Sequence, residues 1–243
     1  WFKQWDFIIM AATIQTIQKP TRARALDTSG NNNHGQIYSG RALEFDGVTD
    51  YLYNNNIPSM DGKSAITITC WVKLTVAPSG DDYIIELPED SVGTNGCGIR
   101  ADSTKFVFDV RTHDDSTVGD ESITYIYELN TWYRLALTYD GTTGKGYVNG
   151  VLADSDTVTL GAGIKHASGD IGIGGFSSGA TGYLFGGLMA DVQVWDAAWT
   201  AADALYDYNN PEQLALNDSK TLLTNSNLKL WYPMNDGHRG QQS

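Results

Sequence analysis

The chain has 243 residues and sets 29 acidic side chains against 16 basic ones, a formal net charge of −13. That balance leaves no concentrated basic face of the kind phosphate neutralisation requires, so nucleic-acid binding is not expected. With 26 Gly and 13 Tyr against 6 Pro, the composition fits one sizeable β domain of many strands and tight turns. No stretch approaches the roughly 18 apolar residues of a membrane helix, so membrane insertion is not expected either.

Residues 1–26 read as an arm. Trp1, Phe2, Trp5, Phe7, Ile8 and Ile9 are apolar without flanking turns, so the segment needs a surface to cover. It either lies on its own domain or reaches a neighbouring subunit, as a homo-oligomer contact or a contact with other subunits of a particle. The start at Trp1 suits a processed product, a fragment or a reading that runs upstream of Met10, and no export signal is visible. Lys19, Arg22 and Arg24 form the one basic cluster and read as a solvated stretch.

The strands begin after this arm. The segment Asp27 to Gly35 (DTSGNNNHG) is a turn, and its His34 reads as a backbone-bonded turn histidine because no Cys/His spacing around it suits zinc. Gly40 to Leu52 (GRALEFDGVTDYL) carries a strand into the Asp46-Gly47 turn. From Ile66 to Leu74, apolar Ile66, Ile68, Cys70, Val72 and Leu74 alternate with Thr67, Thr69, Trp71 and Lys73, the period of a strand with one buried face. Further strands are expected at Tyr83 to Leu87, Lys105 to Val110, Ser122 to Glu128 and Asp170 to Gly174. Leu135, Leu137 and Tyr139 alternate in the same manner, and Asn149-Gly150 between two β-branched residues is a hairpin turn.

A short helix is expected after Thr200, a plausible N-cap with Asp203 at the third helical position, and Pro211 prevents its continuation. Residues 212–226 read as polar linker, and Leu228 to Tyr232 as a last strand. Cys70 reads as a free core thiol and Cys97 follows a turn. Sequence leaves their pairing open, since it supplies no Cα separation.

Taken in order, these motifs, with YVNG (Tyr147 to Gly150) and GGLMADVQVW (Gly186 to Trp195), resemble the laminin-G-like, concanavalin A-like lectin/glucanase superfamily. The resemblance covers Asp27 to about Tyr208 and implies an all-β, two-sheet antiparallel jelly roll with one short C-terminal helix. The expected organisation is an arm at 1–26, the jelly roll at 27–209 and an extension at 210–243. One departure stands out. The superfamily's opening strand of the type LxxWPLDxG is missing before Asp27, while LKLWYPMNDG (Leu228 to Gly237) looks like it at the far end. The expectation is that this segment docks where the opening strand normally lies, by circular permutation or by exchange with a neighbour; the alternative is a second domain starting there.

The laminarinase-like branch places its acids on one strand as ExDxE, and Glu44-Phe45-Asp46 begins that pattern but Gly47, Val48 and Thr49 follow. No catalytic residues are assigned. The resemblance implies a calcium ion, with Asp46, Asp50 and Asp191 as candidate ligands completed by carbonyl oxygens; the plain alternative is an Asx turn at Asp46 and a solvated Asp191. For sugar stacking the candidates are Tyr125, Tyr127, Phe176 and Tyr183, near Asp114, Asp115 and Asp120, with the glycine-rich Gly174 to Gly187 as a possible binding loop. The resulting expectation is a non-enzymatic adhesion or structural module of a tailed-phage virion that contacts host-surface glycans. A secreted, extracellular carbohydrate-binding lectin module is the competing class, and a glycoside hydrolase the third.

Overall fold

The computed structural model describes residues 9–10, 42–89, 96–113, 117–157, 163–166, 169–176, 183–211 and 213–234. The arm beyond Ile9–Met10, the DTSGNNNHG turn with His34, Asp114, Asp115, the side chain of Asp120 and residues 235–243 lie outside them. In chain order the strands are β1 (Ile9–Met10), β2 (Leu43–Asp46), β3 (Tyr51–Asn54), β4 (Ile66–Leu74), β5 (Asp82–Leu87), β6 (Cys97–Ala101) and β7 (Lys105–Arg111). Then come β8 (Thr117–Ile126), β9 (Tyr133–Tyr139), β10 (Thr143–Val148), β11 (Val151–Thr157), β12 (Ile171–Ile173) and β13 (Gly186–Trp195). Helix α1 (Ala201–Asn209), a 3-10 turn at Ala215–Asn217 and β14 (Leu228–Tyr232) follow.

The first sheet runs β1-β3-β12-β5-β6-β7-β8 and the second β11-β10-β9-β4-β13-β14, with β2 also paired to β13. Neighbours are antiparallel throughout. The two layers form a jelly-roll sandwich, as the alternating motifs imply.

Its core lies between the sheets. Ile66, Ile68, Cys70, Val72 and Leu74 of β4 and Leu135, Leu137 and Tyr139 of β9 join Ile99, Phe106, Phe108 and Ile173 of the opposite layer in one buried cluster. Burying each such side chain stabilises the fold by roughly 1.5–3 kcal/mol. Cys70 on β4 and Cys97 on β6 belong to different sheets, and both are free and buried. Burial pushes the Cys70 thiol up to about 12, and Cys97 is raised by the same cause.

The second sheet is buried on its outer face too, which the alternation in Ile66 to Leu74 did not foresee. Thr67, Thr69 and Trp71 are as inaccessible as their core-facing neighbours, because the C-terminal segment covers them. Trp195, Trp199, Tyr147, Ala204 and Ala215 make a second cluster there, joined by Leu214, Leu223 and Leu228. Thr67 Oγ1 donates to the Ala197 carbonyl at 2.7 Å and accepts from Trp199 N–H at 3.0 Å, fixing the chain as it turns onto this face. Helix α1 then starts where expected. Thr200 caps Asp203 N–H, and the Asp203 carboxylate accepts from Thr200 N–H in return, a capping box.

A buried ion cluster ties the helix to the sheet. Arg134 on β9 forks onto Asp207 of α1, Nε to Oδ2 at 2.5 Å and Nη2 to Oδ1 at 2.9 Å. The same guanidinium reaches Asp191 of β13, at its carbonyl (2.8 Å) and at its carboxylate (3.0 Å). Asp191 in turn accepts from the Trp231 indole N–H of β14 at 2.7 Å.

Helix and extension lie on the second sheet, and the outer face of the first sheet carries a separate set of aromatic and charged side chains.

Candidate functional site

A transverse row crosses the outer face of the first sheet. Tyr53 is in register with Gly172, Gly172 with Glu86, Glu86 with Gly98, Gly98 with Asp109 and Asp109 with Gly119. Side chains alternate along strands, and Ile85, Ile99 and Phe108 point into the core, so Glu86 and Asp109 point away from it. The two acids stand two strands apart, about 9–10 Å at Cα, with only a glycine between. Their exposures are 1% and 8%. The Tyr53 hydroxyl at the end of this row donates to Asp170, and burial, then that carboxylate, raises its pKa.

At the end of the sheet where β5 begins, three rings pack together. Tyr83 and Phe176 lie 4.2 Å apart between centroids, Tyr183 stands edge-on to Phe176 at 5.0 Å, and Tyr83 and Tyr183 are 6.2 Å apart. Backbone bonds hold the loops that carry them: Tyr83 N–H to the Tyr183 carbonyl at 3.0 Å, Gly174 N–H to Ile84 O at 2.9 Å, and Phe185 N–H to Gly174 O at 3.0 Å. Gly174 has φ +76° and a Cβ there would strike the Phe45 ring, so this turn requires glycine. Tyr83 and Phe176 are buried, whereas Tyr183 is 42% exposed. One ring is therefore presented to solvent on a bed of two.

On β6, in register with Tyr83, Arg100 turns its Nη1 to Asp81 Oδ1 at 3.3 Å, with the Asp81 side chain 48% exposed and that of Arg100 7%. Burial, followed by the charge of Asp109, raises the Tyr83 phenol above its usual range, and Glu86 and Asp81 act in the same sense while Arg100 opposes them.

The structure brings Phe176 and Tyr183 together and parts them from the other two stacking candidates. Tyr127 is a core residue: its ring packs 4.9 Å from Phe106 and its hydroxyl donates to Asp102 O at 2.7 Å. Tyr125 sits on β8, three strands from β5, edge-on to Tyr133 at 5.9 Å. Tyr83, Arg100, Glu86 and Asp109 were missed. Their signal was a charged residue inside an otherwise apolar strand, as in YIIEL and FVFDV.

The three expected calcium ligands do not converge. Asp46 Oδ1 accepts the N–H groups of Val48 (2.8 Å), Thr49 (2.7 Å) and Asp50 (2.9 Å), and Oδ2 the Thr49 hydroxyl (2.8 Å). Partial burial resists ionisation, yet these donors hold the carboxyl well below the usual range. This is an Asx turn with both oxygens engaged. Asp50 accepts from Asp46 N–H at 3.2 Å, and its carboxyl is raised by burial and by the Asp46 charge. Asp46 is in register with Gly186, so Asp191 lies five residues further along β13, roughly 17 Å away at strand rise. Its carboxylate is also committed to Arg134, Gln193 and Trp231. Among the described residues no three His, Cys, Asp or Glu side chains are placed to hold a metal ion together.

A laminin G-type family model, described as the concanavalin A-like lectin/glucanases superfamily, matches residues 46–204, well over half of the chain. The chain belongs to that superfamily. Similar solved structures include a Bacteroides ovatus protein assigned a carbohydrate-binding role by inference (17% identity, TM-score 0.58, covering 81% of this chain and 52% of that one). The receptor binding domain of botulinum neurotoxin D is another (14% identity, TM-score 0.55, 70% and 44%). A heptameric SAP-like pentraxin from Limulus polyphemus is a third (19% identity, TM-score 0.52, 69% and 81%). The chain spans about half the length of the first two. No curated protein matches it in sequence. At these identities the likeness establishes the sandwich, and the superfamily hosts many activities on it.

Proposed function

We propose that this chain is a non-enzymatic binding module that engages a glycan at the Tyr83–Phe176–Tyr183 end of the first sheet. The observation that carries the reading is Tyr183, an exposed ring immobilised by two buried ones beside the Arg100–Asp81 pair. An aromatic face takes the C–H face of a sugar, a carboxylate accepts from its hydroxyls and a guanidinium donates to its oxygens. Because the ring is held before binding, little side-chain entropy is lost on contact. Similarity to proteins described as carbohydrate-binding and receptor-binding supports the same reading.

A glycan array with the native chain and Tyr183→Ala tests it. Binding should fall at least tenfold in the variant while the thermal midpoint changes by no more than a degree or two. Unchanged binding in Tyr183→Ala removes the site.

One observation favours a second reading, hydrolysis. Glu86 and Asp109 share a face across Gly98, and inverting glycosidases use two carboxyl groups about 6.5–9.5 Å apart. Their burial, 1% and 8% exposed, sets it behind, since such a pair must reach both water and the scissile oxygen. Release of reducing ends that is lost in Glu86→Gln would promote it. The virion setting, with assembly through residues 1–26, is carried by the motif resemblance; co-purification with particles as a symmetric oligomer is its test.

A further inference from the structure

We propose that the glycan taken at Tyr183 is uncharged or carries an amino group where it meets the protein, and that sialylated, sulfated and uronate-bearing glycans are rejected there. This rests on the reading of the Tyr183 end as a glycan site and adds its selectivity.

Among the described residues, the accessible charge that acts on Tyr83, the ring Tyr183 packs against, is a carboxylate. Asp81 is 48% exposed, whereas the guanidinium of Arg100 is nearly covered and already lies 3.3 Å from Asp81 Oδ1. An incoming anion meets Asp81 before it can meet Arg100, and to use Arg100 it must displace that partner. The surroundings have the same sign: the Tyr83 phenol, on which Tyr183 rests, feels Asp109, Glu86 and Asp81 against the single Arg100. The chain as a whole carries −13, so the long-range field also opposes anions.

The size of the effect follows from Coulomb's law. Two like charges about 5 Å apart lower affinity by a factor of about four at the dielectric of water and by more than a hundred at an effective value near 20. Hydroxyls of a neutral sugar carry donors for the exposed Asp81 carboxylate, so they meet the pair without breaking it. A protonated amine adds attraction to Asp81, screened by salt at this exposed position.

The experiment measures binding of matched glycans in three arms: neutral oligosaccharides, their deacetylated amino forms such as chitosan oligomers, and their sialylated, sulfated or uronate counterparts. Native chain, Tyr183→Ala and Asp81→Asn are compared at low and moderate salt. The expected result is binding confined to neutral and amino arms, with the amino arm weakening as salt rises. Asp81→Asn, a change at an exposed side chain, should lower amino binding and raise anionic binding severalfold. Anionic glycans that bind the native chain as tightly as their neutral parents, and lose that binding in Tyr183→Ala, overturn the selectivity and keep the site. Binding that is absent from every arm, or indifferent to Tyr183→Ala, overturns the site and the selectivity with it.

Discussion

Replacing Arg134 by methionine would show how strongly the C-terminal helix is tied to the sandwich. The guanidinium donates twice to Asp207, once to the Asp191 carbonyl and once to the Asp191 carboxylate. Asp207 is 1% exposed, so its carboxylate would lose the partner that offsets its desolvation. Burial pushes the Asp207 carboxyl up to about 6, and the Arg134 charge pulls against that. Removing one partner of a buried pair typically costs about 3–5 kcal/mol, while replacing both with apolar groups is often neutral. The single substitution should therefore lower the thermal midpoint by on the order of 10 °C for a chain of this size. Arg134→Met combined with Asp207→Leu should recover a large part of the loss, because the fully buried Asp207 charge is then gone and Asp191 keeps its Gln193 and Trp231 donors. Urea unfolding of both single variants and the double variant closes the cycle. A loss below about 1 kcal/mol for Arg134→Met, or a double variant as weak as the two singles summed, would refute the argument from desolvation.

His166 gives a pH dependence of known sign. It is buried; its Nδ1 accepts Met60 N–H at 3.0 Å and its Nε2 lies 2.8 Å from the Asp170 carbonyl, an arrangement only the neutral ring satisfies. Burial depresses its pKa, with Asp170 and Asp61 opposing. The unfolded chain therefore binds the proton more readily, so stability is full above the ordinary histidine range and is lost as pH falls through the depressed value, by at most about 1.4 kcal/mol per pH unit. Urea midpoints at pH 7.5 and 5 should converge in His166→Asn relative to the native chain, and equal pH dependence in both would count against the assignment. Cys70 and Cys97, buried with raised pKa values, should react with a thiol reagent only after unfolding; fast labelling of the native chain would contradict their burial.

Local signals survived folding where the deciding contacts are local. The Asn149-Gly150 hairpin has φ of 52° and 76° at its two turn residues, and the Thr200–Asp203 capping box starts the helix at Ala201. The expected strand at Leu228 to Tyr232 is present with those bounds. What sequence could not reveal depends on partners distant in the chain. Thr67, Thr69 and Trp71 look solvent-facing until the segment after Trp195 covers them. The strand expected at Ser122 to Glu128 runs instead from Thr117 to Ile126, pairing with β7 on both sides of a register shift between Val107 and Phe108. Asp46 and Asp50 adjoin, but Asp191, which completes the expected ligand set in the sequence, is separated from them by strand rise. Glu86 and Asp109 become neighbours only through Gly98, a relation created by register.

One edge of β13 is shared. Gly186 to Met189 pair with β2, and Val192 to Trp195 pair with β14, so a segment near residue 45 and one near residue 230 are spliced side by side along one strand. The superfamily match stops at residue 204, short of that second segment. A recombinant fragment trimmed to the match would bare the amides and carbonyls of Val192 to Trp195 and uncover the apolar clusters against which Leu228 and Leu230 pack. Naked strand borders recruit foreign strands, so such a fragment would tend to clump, and the natural remedy is to keep residues 228–232 in whatever is expressed.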